Sequence, residues 1–160
     1  KEGLKSSRIR LKRILVPLDG SRLSEAVLPY AQNLAIALNA EIILLHVEVS
    51  PTPEFDPHTP VLAPPDEIKK LRADIKSYIK VVCSKLEREG ARATYLLREG
   101  PVAETILEVA EIMQADLIAM STHGHTGVLR LLLGSAAERV VHQSRIPVML
   151  IRPKAEKQAE

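Results

Sequence analysis

Short apolar runs alternate along this chain with longer stretches in which apolar residues recur every three or four positions. Arg13 to Leu18 (RILVPL), Glu41 to Val47 (EIILLHV), Ala91 to Arg98, Asp116 to Met120 and Pro147 to Ile151 (PVMLI) read as strands. The runs without polar alternation have the pattern of strands buried on both faces. Between them lie the helices. From Ser21 or Ser24 as N-cap, Ala26, Val27, Tyr30, Ala31, Leu34, Ala35 and Leu38 form one apolar face, and Pro29 should bend the early part of that helix. A second helix is expected from Asp66 to Glu89, with Ile68, Leu71, Ile75, Tyr78, Ile79, Val82 and Leu86 inward and Gly90 as its stop. Pro101 suits the first turn of a third, carrying Val102, Ile106, Val109, Ala110 and Met113 on one side. Ser135 to Gln143 is the last.

Strict alternation of strand and helix predicts an α/β fold: a five-stranded, doubly wound parallel sheet with helices on both faces and right-handed crossovers. Ligands of such sheets bind beyond the carboxyl ends of the strands, where the strand order switches direction. If the first strand adjoins the fourth, Asp19 and the loop from Ser121 to Ser135 face one crevice. That loop contains Gly124, Gly127 and Gly134 and leads into a helix at Ser135. Glycines let the backbone turn and approach a ligand closely, and the unpaired first-turn amides of a helix favour an anion. Phosphate is the expected anion.

Composition narrows the picture. At 160 residues one domain is expected, spanning 13–153, with a basic tail over 1–12 and a polar tail over 154–160. Aromatic residues are 2% of the chain against 46% hydrophobic, so the core must be aliphatic. A formal charge of +2 is too near balance for a nucleic-acid or membrane field, and no apolar segment approaches the roughly 20 residues of a membrane span. Neither nucleic acid nor membrane is an expected partner. The lone Cys83 sits in a helical apolar pattern and reads as a buried thiol, consistent with a reducing cytoplasm. The proline-rich segment 49–65 cannot be a regular element, and is either a lid over a site or an insertion.

Candidate chemistry is sparse. No Ser-His-Asp spacing, nucleophile elbow or P-loop is present. His123 and His125 form a His-x-His pair without the companions of a metal shell, and are read as loop histidines beside phosphates. His46, at a strand end, reads as a packed, hydrogen-bonded histidine. Asp19 could cap the following helix or contact a nucleotide. Gly127 could serve the turn alone, and Arg130 could meet a phosphate, solvent or a second subunit.

Taken as a set, Asp19 and Ser21 after a VPLD strand, the LLHV strand ending at Val47, and Ser121-x2-Gly124-x9-Gly134-Ser135 leading into PVMLIR resemble the universal stress protein family. The resemblance runs from about Arg13 to Arg152. It implies a Rossmann-like sheet of order 3-2-1-4-5 and a homodimer formed through the last strand. It also implies one of two classes, ATP-binding or non-binding. Position by position, the ATP-binding motif's later glycines fall on Gly124 and Gly134 and its hydroxyl residue on Ser135, with Ser121 in place of its first glycine. By resemblance, Asp19 faces the ribose, Pro17 and Leu18 line the adenine pocket, and Val47 meets adenine through its backbone. The implied nucleotide-binding set is completed by Ser21, Met120, His123, His125, Gly127 and Ala136. The expectation is therefore a cytoplasmic, homodimeric, stress-linked regulatory protein that binds ATP with Mg²⁺ or Mn²⁺ and is not an efficient enzyme. Two alternatives stand beside it: a dimeric interaction protein that binds no nucleotide, which Ser121 would mark, and a slow ATPase or autophosphorylating protein with Ser135 as the hydroxyl.

Overall fold

The computed structural model describes residues 10–49, 65–122 and 133–153. Its element order is β1 (Arg13–Pro17), α1 (Arg22–Glu25), α2 (Leu28–Leu38), β2 (Glu41–Glu48), α3 (Pro65–Arg88), β3 (Arg92–Glu99), α4 (Val102–Ile112), β4 (Leu117–Ser121), α5 (Ser135–Gln143) and β5 (Val148–Ile151). All strand pairs are parallel, in the order β3-β2-β1-β4-β5. The predicted α/β sheet and its strand order are both borne out.

Two aliphatic layers sandwich the sheet. On one face Ile14, Val16, Ile42 and Leu44 pack against Val27 at the N-cap of α2, Ala31 and Ala35 of that helix, and Ile79, Cys83 and Leu86 of α3. On the other, Leu15, Ile43, Leu45 and Ile118 meet Ile106, Val109 and Ala110 of α4 and Ala137 and Val140 of α5. Alternate residues of one strand thus feed opposite layers, which is why the central strands carry the unbroken apolar runs Ile14 to Val16, Ile42 to Leu45 and Leu117 to Met120. Burial raises the pKa of the Cys83 thiol, with Glu87 adding to the effect. It is the packed cysteine that its helical setting predicted.

The first predicted helix is corrected in one respect. Pro29 does not merely bend it; the chain leaves α1 after Glu25 and restarts as α2 at Leu28, with the proline in the new first turn where its missing N–H costs nothing. The break shifts the helical phase. Tyr30 and Leu38, expected inward, are consequently exposed.

Beneath the sheet, at the amino ends of the strands, β1 and β4 are stitched together. Asp116 Oδ2 accepts from the backbone amides of Lys12 at 2.7 Å and Arg13 at 3.0 Å, and Arg13 Nη1 donates to the Met113 carbonyl at 3.0 Å. Above Leu15 and Ile118 the two strands part. Their divergence opens the crevice that a switch in strand order predicts.

Candidate functional site

Three chain segments meet above that parting. The first is the turn after β1. Gly20 adopts φ +86°, a conformation that L side chains rarely take, and this swings the chain back so that Asp19 can reach its own neighbours. Asp19 Oδ1 accepts from the Ser21 amide at 2.9 Å and from the Ser21 hydroxyl at 2.6 Å. Ser21 Oγ in turn accepts from the Ser24 amide at 3.1 Å, as the N-cap of α1. Capping and a cleft position therefore coexist. Asp19 organises its own turn and also lines the cavity.

The second segment is the end of β2. The Leu18 amide donates to the Leu45 carbonyl at 2.8 Å, so Leu45 turns its backbone groups towards β1. By strand alternation Val47 does too, while Glu48 faces β3 and accepts from the Gly100 amide at 3.0 Å. Continuing the register in which Pro17 pairs with Leu45, the next rung would join the Val47 amide to the Leu18 carbonyl. Among the described residues that backbone bond is not made. The Leu18 carbonyl instead accepts from Nδ1 of His46 at 2.9 Å. Val47 is left presenting an amide and a carbonyl where β1 has already turned away.

The third segment is the approach to α5. The Gly134 amide donates to the Thr122 carbonyl at 2.7 Å and the Thr122 amide to the Ile151 carbonyl at 2.9 Å, fixing the helix start against the ends of β4 and β5. Gly134 is the N-cap, and among the described residues no side chain caps the helix. Ser135, Ala136 and Ala137 of the first turn line the crevice, and the cap residue itself offers their amides no side-chain oxygen. Gly134 has φ −58° and ψ 149°, ordinary extended backbone. Its expected role in a tight turn is corrected accordingly, and what the glycine contributes is the absence of a side chain at the cap.

These segments line one cavity of about 960 Å³. It brings together Pro17, Leu18, Asp19, Val47, Met120, Ser121, Gly134, Ser135 and Ala136 from the residues expected at a site. Ser21 stands behind Asp19 rather than in the wall. His123, Gly124, His125 and Gly127, like Arg130 and most of the segment 49–65, lie outside the described residues.

One wall was not foreseen. Ile68, Leu71 and Ile75, predicted to face the core, line this cavity instead, and Leu71 is 60% exposed. Burial on α3 begins only at Ile79. Arg72, on the same half of the helix, bridges Glu48 at 3.0 Å and Glu99 at 3.1 Å, tying it to the ends of β2 and β3. Lower on α3, the Tyr78 hydroxyl donates to Glu25 at 2.8 Å. Burial pushes its pKa well above the ordinary tyrosine value, and the Glu25 hydrogen bond and the charges of Glu25 and Asp19 push it the same way. Among the described residues no group of three or more His, Cys, Asp and Glu side chains is placed to hold a metal, and no helix is long and apolar enough to cross a membrane.

Residues 10–152, spanning both the sheet and the cavity, match the model of the universal stress protein family. The chain belongs to that family. It is similar to universal stress protein MJ0531 of Methanocaldococcus jannaschii, with 36% identity over 91% of this chain and 85% of the relative. Among solved universal stress proteins, MJ0577 of the same organism superposes with a TM-score of 0.77 at 29% identity, covering 91% of this chain and 99% of that one. UspA of Lactobacillus plantarum has the same TM-score at 26% identity, covering 89% and 99%. Two more distant members share the fold at 20% and 19% identity with TM-scores of 0.67 and 0.62. Their structures are complexes with cAMP and, for the Archaeoglobus fulgidus protein, with dAMP.

Proposed function

We propose that this universal stress protein binds ATP in the cavity above β1 and β4 and works as a stress-linked regulatory module whose state follows nucleotide occupancy. The observation that carries the reading is the meeting in one cavity of a helix start capped by a glycine, a strand backbone that among the described residues lacks its next rung, and a carboxylate. Each suits one part of a nucleotide. The amides of Ser135 and Ala136, with the Ser135 hydroxyl, would hold phosphate oxygens at the positive end of α5. Asp19 would accept from the ribose hydroxyls, its geometry fixed by Ser21. Pro17, Leu18 and Met120 would enclose the base, and the Val47 amide and carbonyl match the acceptor and donor side by side on an edge of adenine. Ser121 would border the phosphates, together with His123, Gly124, His125 and Gly127 of the loop. The cAMP and dAMP complexes of distant members support an adenine nucleotide at the level of the fold.

Mg²⁺ or Mn²⁺ would arrive with the triphosphate, its ligands being phosphate oxygens and water. A ligand alters such a protein only by preferring one of its conformations. We further propose a homodimer through β5, an edge strand whose four residues Val148, Met149, Leu150 and Ile151 are all half-buried in the single chain. The proposed location is the cytoplasm, where the buried Cys83 would stay reduced.

The second reading, a dimeric interaction protein that holds no nucleotide, is favoured by Ser121, which is buried and paired with Ile151 in the ladder. Calorimetric titration of nucleotide-free protein with Mg-ATP, AMP and cAMP separates the two. Heat with ATP supports the first reading, and no heat with any of the three sinks it. Phosphate release exceeding the protein in amount and lost in Ser135→Ala would show a slow ATPase. A monomer by light scattering at micromolar concentration would remove the dimer.

A further inference from the structure

We infer that His46 is a positioning residue that keeps the Val47 backbone open for the base, and so sets the preference for adenine. The inference rests on the proposed nucleotide site and deepens it. His46 is 8% exposed, and its Nδ1 lies 2.9 Å from the carbonyl of Leu18. A carbonyl only accepts, so Nδ1 carries the proton and the imidazole donates. Leu18 is itself buried, and its carbonyl needs a donor. By the register of β1 and β2 the main-chain donor due to supply it is the Val47 amide, one rung beyond the bond from the Leu18 amide to the Leu45 carbonyl. The ring supplies that donor in its place. The ladder therefore stops one rung early, and the amide and carbonyl of Val47 stay unspent on the cleft side.

That pair has a sense of direction. A strand amide donates and its carbonyl accepts, which complements adenine, whose amino group donates beside a ring nitrogen that accepts. Hypoxanthine carries an oxygen in place of the amino group and a protonated N1, so the same backbone meets donor with donor and acceptor with acceptor. A site that hydrogen-bonds its ligand rejects an analogue that leaves its polar groups unpaired. If the Val47 amide closed onto Leu18, this reading of the base would be lost while the phosphate end stayed as it is.

The test compares wild type with His46→Leu, which removes the donor, and His46→Asn, whose side-chain amide can donate from nearly the place of Nδ1. Each full-length protein is titrated with ATP, ITP and inorganic tripolyphosphate, and exchange of the Val47 amide is followed without nucleotide. In His46→Leu, ATP affinity should fall about tenfold and the ATP-to-ITP ratio should collapse towards one, with tripolyphosphate binding unchanged and Val47 exchange slowed. His46→Asn should keep the wild-type ratio. Retention of both ATP affinity and the ratio in His46→Leu would overturn the inference. So would an equal loss of ATP and tripolyphosphate in both variants, which marks general damage. Should wild type bind no nucleotide, the proposed function fails on its own, and Val47 exchange still decides whether the histidine holds the rung open: equal protection of Val47 in wild type and His46→Leu would refute it.

Discussion

β1 and β4 lie side by side, and each has an aspartate near one end, but the two carboxylates are used in opposite ways. Asp116, just before β4, accepts from amides more than a hundred residues away and welds the amino ends of the two strands. Asp19, just after β1, accepts from the amide and hydroxyl of Ser21, two residues on, and so organises its own turn beside the open carboxyl ends. The Asp116 bonds reach across the chain and close the lower pole, whereas the bonds between Asp19 and Ser21 stay within one turn and shape a wall of the open upper pole. An aspartate at a strand end is in itself neither structural nor functional; what its carboxylate oxygens hold, and whether it lines the cavity, separates the two roles.

The largest expected effect breaks the upper pole without touching the lower. Gly134→Asp places a carboxylate at the N-cap of α5, where aspartate is a favoured capping residue but where the phosphates would sit. ATP affinity should fall on the order of 100-fold, about 2.7 kcal/mol, while the urea midpoint stays equal or rises. Loss of binding together with loss of stability would contradict this. Asp116→Ala should do the converse. Removing the acceptor of two amides should cost about 2 kcal/mol of unfolding free energy, with ATP affinity per folded molecule unchanged by calorimetry. A smaller effect sharpens the role of Asp19. Asn at this position retains an oxygen for Ser21 but carries no charge, so Asp19→Asn should keep stability and lose roughly tenfold in ATP affinity; an unchanged affinity would confine Asp19 to its turn.

The smallest effect concerns pH. Because the folded-state pKa of Tyr78 is raised above the ordinary value of 10.0, the neutral phenol favours the fold, and that stability is fully present below pH 10 and lost as pH rises above it. Tyr78→Phe should lower stability at pH 7 by about 1 kcal/mol, the worth of one hydrogen bond. It should also flatten the fall in stability that denaturation would record as pH rises above 10. An unchanged alkaline slope would show that Tyr78 is not its source.

The fold was legible because strands buried on both faces leave unbroken apolar runs, and the predicted strand ends differ from the observed ones by a single residue, as with Leu117–Ser121 against Asp116–Met120. The site was legible where the sequence breaks pattern, at Asp19-Gly20-Ser21 and at Gly134-Ser135. The role of α3 was hidden. Ile68, Leu71 and Ile75 keep the same periodicity as Ile79 and Leu86, and periodicity does not reveal where the sheet beneath a helix ends. Arg72 was hidden too, since an arginine on a charged helix gives no sign that Glu48 and Glu99 will flank it. His46 was read correctly as packed and hydrogen-bonded. Its partner could not be named, because the missing rung beside it depends on a register that only the paired strands define.

The weld at Asp116 also sets an order in time. β1 pairs with β2 through nearby sequence, but its pairing with β4 must wait for residues about a hundred positions later, and such distant closures form late. A chain emerging during synthesis could fold β1, β2 and β3 with α2 and α3 while half of the crevice was still unmade. The two walls of the cavity, Asp19 and Ser135, exist together only once α5 has been produced. A ligand held between them would bind finished molecules alone, and its occupancy would count completed proteins rather than chains begun.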